Sequence, residues 1–174
     1  MQGPTEVADE QQRLFAHYLR KNHHKTGTLM ANSCRSALLL GGHTLADQKL
    51  AFRYGQHIGA AFQLVDDMLD FEGTSESLGK PALADLRQGL STAPVLFAQI
   101  ESARLRTLSE RKFEQNGDVE EAVELVLQSD GLQATKQLAM SQAALAIATA
   151  YRFEASLERE ALVQLALKVV VRTK

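Results

Sequence analysis

The stretch Ile58-Gly59-Ala60-Ala61-Phe62-Gln63-Leu64-Val65-Asp66-Asp67-Met68-Leu69-Asp70 decides how this chain reads. Its first eight residues carry no charge, and the next five carry three carboxylates. On a helix Asp66 and Asp70 are four apart and Asp67 and Asp70 three apart, so all three acids converge on one edge of a turn. Like charges at those spacings oppose the helix by about 0.2–0.5 kcal/mol per pair. No Lys or Arg occurs between residues 58 and 79 to offset them. A cation arriving from elsewhere is expected, the alternative being a solvated acidic face. Carboxylate oxygens without His or Cys nearby favour a hard ion, Mg2+ or Mn2+, over zinc. An EF-hand loop fails on spacing: begun at Asp66 it puts Met68 at a ligand position, and begun at Asp70 it puts Pro81 where a glutamate is required. Because Mg2+ keeps waters and shares its shell with phosphates, the expected ligand is a phosphorylated substrate.

Outward from this stretch the chain reads as all-α. Its prolines are Pro4, Pro81 and Pro94, so nearly every other position is free to be helical. Thr44 and Asp47 form a capping-box pattern, with Asp replacing the usual Glu or Gln, and open a helix predicted over 45–71. Upstream, apolar residues from Leu14 to Leu38 recur at three- and four-residue spacing and stop at Gly41-Gly42, as one helix or a bent pair would. Downstream, residues 73–87 are rich in Gly and Ser, contain Pro81 and lack an apolar period, which predicts a loop. Helical period returns over 88–114, breaks at Asn116-Gly117, resumes over 119–128 behind Asp118 as a cap, and restarts behind Asp130 for an Ala-rich segment to Phe153. In the last segment, 157–171, Val169-Val170-Val171 favours strand by propensity. The spacing of Leu162, Leu165, Ala166 and Val169 favours helix, and the period decides.

The 174 residues suit one ordinary domain, with no repeat or linker. A net charge of −2 gives no general attraction for nucleic acid, so any affinity for an anion must be local. The single cysteine, Cys34, excludes an internal disulfide and reads as packing. No apolar run reaches the roughly 18–20 residues that cross a bilayer, so the chain is expected to be soluble, with at most peripheral membrane contact. The residues from Met1 to Glu6 carry no targeting signature.

Three basic segments could complete an anion site. Lys25 and Thr28 share a helix face beside Gly27, a small residue where a backbone or ligand could come close. Gly79-Lys80-Pro81 presents a lysine in a constrained turn shortly after the acids, and Arg172-Thr173-Lys174 ends the chain. Each alone reads equally as solvated surface or, at the C-terminus, as cations favouring a helix dipole. None of the five histidines is paired at metal-ligand spacing.

Taken in order, Lys25-Thr26, Phe62-Gln63-Leu64-Val65-Asp66-Asp67-Met68-Leu69-Asp70, Gly79-Lys80-Pro81 and Asp85-Leu86 resemble the C-terminal half of the trans-polyprenyl diphosphate synthase family. Ala31-Asn32-Ser33-Cys34, Pro94-Val95-Leu96-Phe97-Ala98, Val126-Leu127-Gln128-Ser129-Asp130-Gly131 and the Arg172-Thr173-Lys174 end most resemble its decaprenyl members, which make the ubiquinone side chain. The resemblance implies an all-α fold, the C-terminal half of the isoprenoid synthase helical bundle, as a single partial domain over 1–174. It implies that Asp66, Asp67 and Asp70 are the second aspartate-rich motif, binding Mg2+ or Mn2+. By the same resemblance Lys25, Thr26, Gln63 and Lys80 contact or position the allylic diphosphate, and Arg172 and Lys174 close over it. The implied reaction ionises the allylic diphosphate, adds isopentenyl diphosphate and loses a proton. Mitochondrial matrix location and a homo- or hetero-oligomer with another synthase subunit are implied in the same way.

Two features depart from the family pattern. The first aspartate-rich motif and chain-length wall of the family's N-terminal half are not in these 174 residues, and Leu90 stands where many members carry a phosphate-contacting lysine. Independent turnover by this chain alone is therefore not expected, and product length is not legible. The alternatives are a non-catalytic interaction subunit that pairs with a full-length synthase and, with less in its favour, a terpene cyclase-like enzyme.

Overall fold

The computed structural model describes residues 4–72 and 83–172, with side chains from Asp9 onward. Among these residues all regular structure is helical. In chain order the elements are α1 (Pro4–Asn22), a π-turn (His23–Gly27), α2 (Thr28–Leu40), α3 (Leu45–Glu72), α4 (Ala84–Arg87), α5 (Ala93–Glu101), α6 (Ala103–Glu110), α7 (Asp118–Leu127), α8 (Gly131–Ala150) and α9 (Leu157–Val171). They form two compact units: residues 4–19 with 66–72 and 83–136, and residues 20–65 with 137–172.

The segment expected as one helix or a bent pair is interrupted by the π-turn. There the Thr28 amide and hydroxyl both donate to the His23 carbonyl, the hydroxyl at 2.8 Å. Helix α3 begins where the capping pattern puts it. The Thr44 hydroxyl oxygen accepts from the Asp47 amide at 3.2 Å while its proton goes to the Asp47 carboxylate at 2.6 Å. The Asp side chain, one methylene shorter than Glu, thus closes on the cap hydroxyl. Helix α9 keeps its period through Val171, so packing of Val163, Ala166 and Val169 overrides the strand propensity of the valine run.

Other expectations are corrected. The predicted loop 73–87 contains the helical turn α4, and residues 73–82 lie outside the described residues. The predicted helix 88–114 is split. Pro94 fits only a first turn, Ser102 leaves the helix and caps the next by accepting from the Leu105 amide at 3.1 Å, and Lys112 and Phe113 adopt positive φ. Asp118 does not cap α7; Gly117 at φ +89° precedes the helix. Instead the Asp118 carboxylate, 2% exposed, accepts from Arg111 Nη2, from Arg111 Nε at 2.8 Å and from the Gln115 amide at 3.1 Å. Asp130 likewise leaves capping to Ser129, whose hydroxyl accepts from the Gly131 amide.

In the unit of residues 4–19, 66–72 and 83–136, Leu86, Val95, Ala98, Leu105, Leu108 and Val126 form the core. Helix α1 lies on α5 through one face. Gln11 Nε2 donates to the Gln99 carbonyl at 3.1 Å, and the Phe15 and Phe97 rings are 5.0 Å apart. In the other unit, Tyr54, Ile58 and Ala61 of α3 pack with Ala143, Ala146 and Ala150 of α8 and Val163 and Ala166 of α9. Helices α2 and α3 approach at backbone distance. A Cβ on Gly55 would stand 2.6 Å from the Ala31 Cα and the Met30 carbonyl oxygen, and one on Gly59 would stand 2.9 Å from the Gly27 Cα.

Two predictions arise from this packing. Gly55→Ala gains up to about 1 kcal/mol of helix propensity, but its methyl meets backbone that cannot swing aside. Overpacking of about 1–3 kcal/mol wins, and urea unfolding should show a net loss. The Arg111 hydrogen bonds hold the Asp118 carboxyl below the usual range, against the burial that alone would raise it. A lowered folded-state pKa stabilises above the unfolded carboxylate value, about 4, and that contribution fades as pH falls below it. Arg111→Gln should therefore be less stable than the parent at neutral pH, with the difference shrinking below about pH 4 in acid-titrated unfolding.

Candidate functional site

The three aspartates predicted as ligands sit on the last turns of α3. Asp67 and Asp70 are 2% and 1% exposed, whereas Asp66 is half-buried. Burial of a carboxylate requires donors. The Tyr18 hydroxyl, carried by α1 on the face shared with Gln11 and Phe15, donates to Asp67 Oδ2 at 2.5 Å. The Asp85 amide, at the start of α4, donates to Asp70 Oδ2 at 3.2 Å, and the Leu83 amide to the Asp70 carbonyl at 3.3 Å. The chain that leaves α3 after Glu72 thus returns to the aspartate motif it left.

Among the described residues no three His, Cys, Asp or Glu side chains form a ready-made metal cage. The donor set nonetheless fits a hard ion that takes few protein oxygens and completes its shell with water and phosphate. It holds oxygen ligands throughout, with hydrogen bonds fixing Asp67 and Asp70 and the more accessible Asp66 one turn from Asp70.

In the other unit, the π-turn holds Lys25, which is exposed, and Thr26. The Thr26 hydroxyl donates to Gln63 Oε1 at 2.9 Å, so two residues assigned to one ligand by resemblance are in contact. Gln63 is 6% exposed. The close partner expected at Gly27 is backbone, that of Gly59. π-turns recur at functional sites because the extra residue re-aims side chains. Arg172 donates from Nη2 to the Phe62 carbonyl at 3.1 Å, and its guanidinium carbon stands 3.9 Å from the centroid of the Phe62 ring. Lys80 and Lys174 lie outside the described residues.

Sequence reasoning missed Tyr18 and the Asp85 amide as aspartate partners. Nothing local in the sequence pairs Tyr18 with a carboxylate 49 positions away. His57, which received no site role, bonds Gln142 at 2.9 Å through Nδ1.

The sequence matches the polyprenyl synthetase family over residues 1–126. It is 43% identical over 160 residues to the all-trans-polyprenyl-diphosphate synthase PDSS1 of Mus musculus, covering 92% of this chain and 39% of that protein. Solanesyl-diphosphate synthase 1, mitochondrial, of Oryza sativa subsp. japonica is 41% identical over 171 residues, covering 95% of this chain and 40% of that one. The fold is similar to the crystal structure of the polyprenyl synthase from Caulobacter crescentus CB15 complexed with calcium and isoprenyl diphosphate. That match has a TM-score of 0.83 and 31% identity, over 98% of this chain and 59% of that one. The chain thus spans about two fifths of the length of the curated relatives.

The Tyr18–Asp67 contact is testable by a double-mutant cycle. Tyr18→Phe removes one donor from a buried carboxylate and should cost about 1–3 kcal/mol of stability. Combined with Asp67→Asn, unfolding should report a coupling of about 0.5–3 kcal/mol.

Proposed function

The chain belongs to the polyprenyl synthetase family, and we propose that it carries the allylic-diphosphate side of a trans-prenyltransferase that condenses isopentenyl diphosphate with an allylic diphosphate in isoprenoid and ubiquinone side-chain synthesis. The observation that carries this reading is the pair of buried, hydrogen-bonded carboxylates Asp67 and Asp70 beside the more accessible Asp66. With about two fifths of the relatives' length present, binding and activation of the allylic diphosphate are assigned to this chain. The complete condensation is assigned to the enzyme that contains the remaining family residues.

Asp66, Asp67 and Asp70 would hold Mg2+, or Mn2+. The Caulobacter complex with calcium, another hard oxygen-seeking ion, and isoprenyl diphosphate supports this ligand class. Bound there, the ion would stabilise the negative charge that grows on the diphosphate as the allylic carbon–oxygen bond breaks.

The chain's own groups act on the same charge. Lys25 offers a cation, worth more in the transition state than in the ground state because the diphosphate charge rises between them. Thr26, by donating to Gln63 Oε1, fixes the Gln63 carboxamide so that its oxygen faces Thr26 and its N–H groups face away from it. Arg172, held on Phe62, keeps a guanidinium at the end of α9, and Lys80 and Lys174 are further cations in this reading. Leu64, Val65, Met68 and Leu69, the sequence neighbours of the acids, are all at most 8% exposed, and apolar packing of this kind would help keep water from a cationic intermediate.

The mitochondrial name of the rice relative supports mitochondrial placement. Exposed apolar residues of α8 and α9, including Met140, Leu157, Leu165 and Val171, support packing against a further protein surface, supplied by a second copy or another synthase subunit. The same residues are what a non-catalytic interaction subunit would use, and ligand binding separates the two readings.

Calorimetric titration with farnesyl diphosphate should show binding that requires Mg2+. Asp66→Asn and Asp70→Asn should each weaken it at least about tenfold, or 1.4 kcal/mol, while Mn2+ restores parent binding after chelation. Unchanged affinity in both variants favours the interaction subunit and ends the metal-site reading.

A further inference from the structure

We propose that the cleft between α2 and α3 lined by Arg35, Lys49, Phe52, Arg53 and Gln56 binds a phosphate group, using none of the residues assigned to the allylic diphosphate. The cleft is open and has a volume of about 280 Å3. Lys49, Phe52, Arg53 and Gln56 follow the spacing i, i+3, i+4, i+7, which puts them on one stripe of α3, and Arg35 reaches the same cleft from α2.

Three cations line this cleft and no carboxylate does. Among the described residues none of the three makes an ion pair or hydrogen bond. Asp47, the acid closest to Lys49 in sequence, is engaged by the Thr44 hydroxyl. With a net charge of −2 the whole chain is not basic, so the cluster is not a by-product of composition. Lys49 and Arg53, four apart on one helix, repel unless an anion lies between them. Two guanidinium forks match the paired oxygens of a phosphate, Lys49 adds a point charge, and the Gln56 amide can donate to a remaining oxygen. Half-buried Phe52 forms an apolar wall.

The phosphate could belong to a soluble ligand or to a lipid headgroup. About one helical turn from Arg35 and Lys49, the facing ends of α2 and α3 expose Leu39 (57%), Leu40 (87%) and Leu45 (57%). Apolar tips next to cations are the combination that interfacial binding to anionic lipid uses, so the headgroup is the favoured source.

The test uses the full chain in EDTA, which silences metal-dependent binding at the aspartates. The probes are inorganic diphosphate, followed by calorimetry, and phosphatidylcholine vesicles with and without phosphatidylglycerol, followed by co-sedimentation. The parent should bind one or both anionic probes, more weakly as salt rises. Arg35→Gln/Lys49→Gln/Arg53→Gln, all at exposed positions, should lose about tenfold or more in affinity. The charge-keeping pair Arg35→Lys/Lys49→Arg should retain more than half of it, and Asp66→Asn should bind as the parent does. Leu40→Ser/Leu45→Ser should reduce only vesicle binding, marking a lipid source; diphosphate binding without vesicle binding marks a soluble one. If the parent binds neither probe, or the triple Gln variant binds both as well as the parent, the site does not exist. Since Asp66→Asn in EDTA is read separately from Mg2+-dependent farnesyl diphosphate binding, failure of either site is recognised without the other.

Discussion

Burying a carboxylate is costly unless donors surround it, and Asp67 and Asp70, at 2% and 1% exposure, impose that condition on the end of α3. The unit that contains them is built to meet it. One face of α1 is fixed by Gln11 on the Gln99 carbonyl and by Phe15 on Phe97, and the next residue on that face, Tyr18, delivers its hydroxyl to Asp67. The turn α4 brings a backbone amide to Asp70, a donor that no substitution at position 85 other than proline removes. A preorganised carboxylate that keeps its position when a cation arrives needs this kind of support, because ligands free to reorganise lose affinity.

The fold was largely legible because helix signals are local. Thr44 and Asp47 announce α3 within four residues, and the spacing of Leu162, Leu165, Ala166 and Val169 outweighs three consecutive valines. What failed was also local in appearance but tertiary in cause. Asp118 looks like a cap from its neighbours, yet Arg111 claims it; the chain between them turns through positive φ at Lys112 and Phe113. That conformation is unfavourable for side-chain-bearing residues, and the ion pair between half-buried Arg111 and buried Asp118 closes the turn that contains it. The break at Ser102 was hidden because apolar period continues across it.

The site divides along the same line. Three acids within five residues, with no neighbouring cation, announce themselves. Their partners do not, since Tyr18 is distant in sequence and the Asp85 donor is a backbone group with no sequence signature. Thr26 and Gln63 were connected through resemblance, and the hydrogen bond between them supplies a physical reason. Lys80 and Lys174 lie outside the described residues.

That hydrogen bond depends on glycine in a way that links packing to chemistry. A hydroxyl on one helix reaches a carboxamide on the next only if the two backbones come close, and at Gly27 and Gly59 they do: a Cβ on Gly59 would stand 2.9 Å from the Gly27 Cα. Gly59 precedes Gln63 by one turn of α3, and Gly27 directly follows Thr26, so the close approach and the hydrogen bond are adjacent on both segments. The π-turn supplies the remaining condition, because its extra residue shifts the direction of Lys25 and Thr26 relative to a continuous α-helix. Any larger residue at 59 would push α2 and α3 apart and lengthen the Thr26–Gln63 contact before it touched a ligand. The requirement for small residues along this seam is therefore a requirement on the orientation of Gln63, and the packing of this unit is part of how its candidate ligand contacts are set.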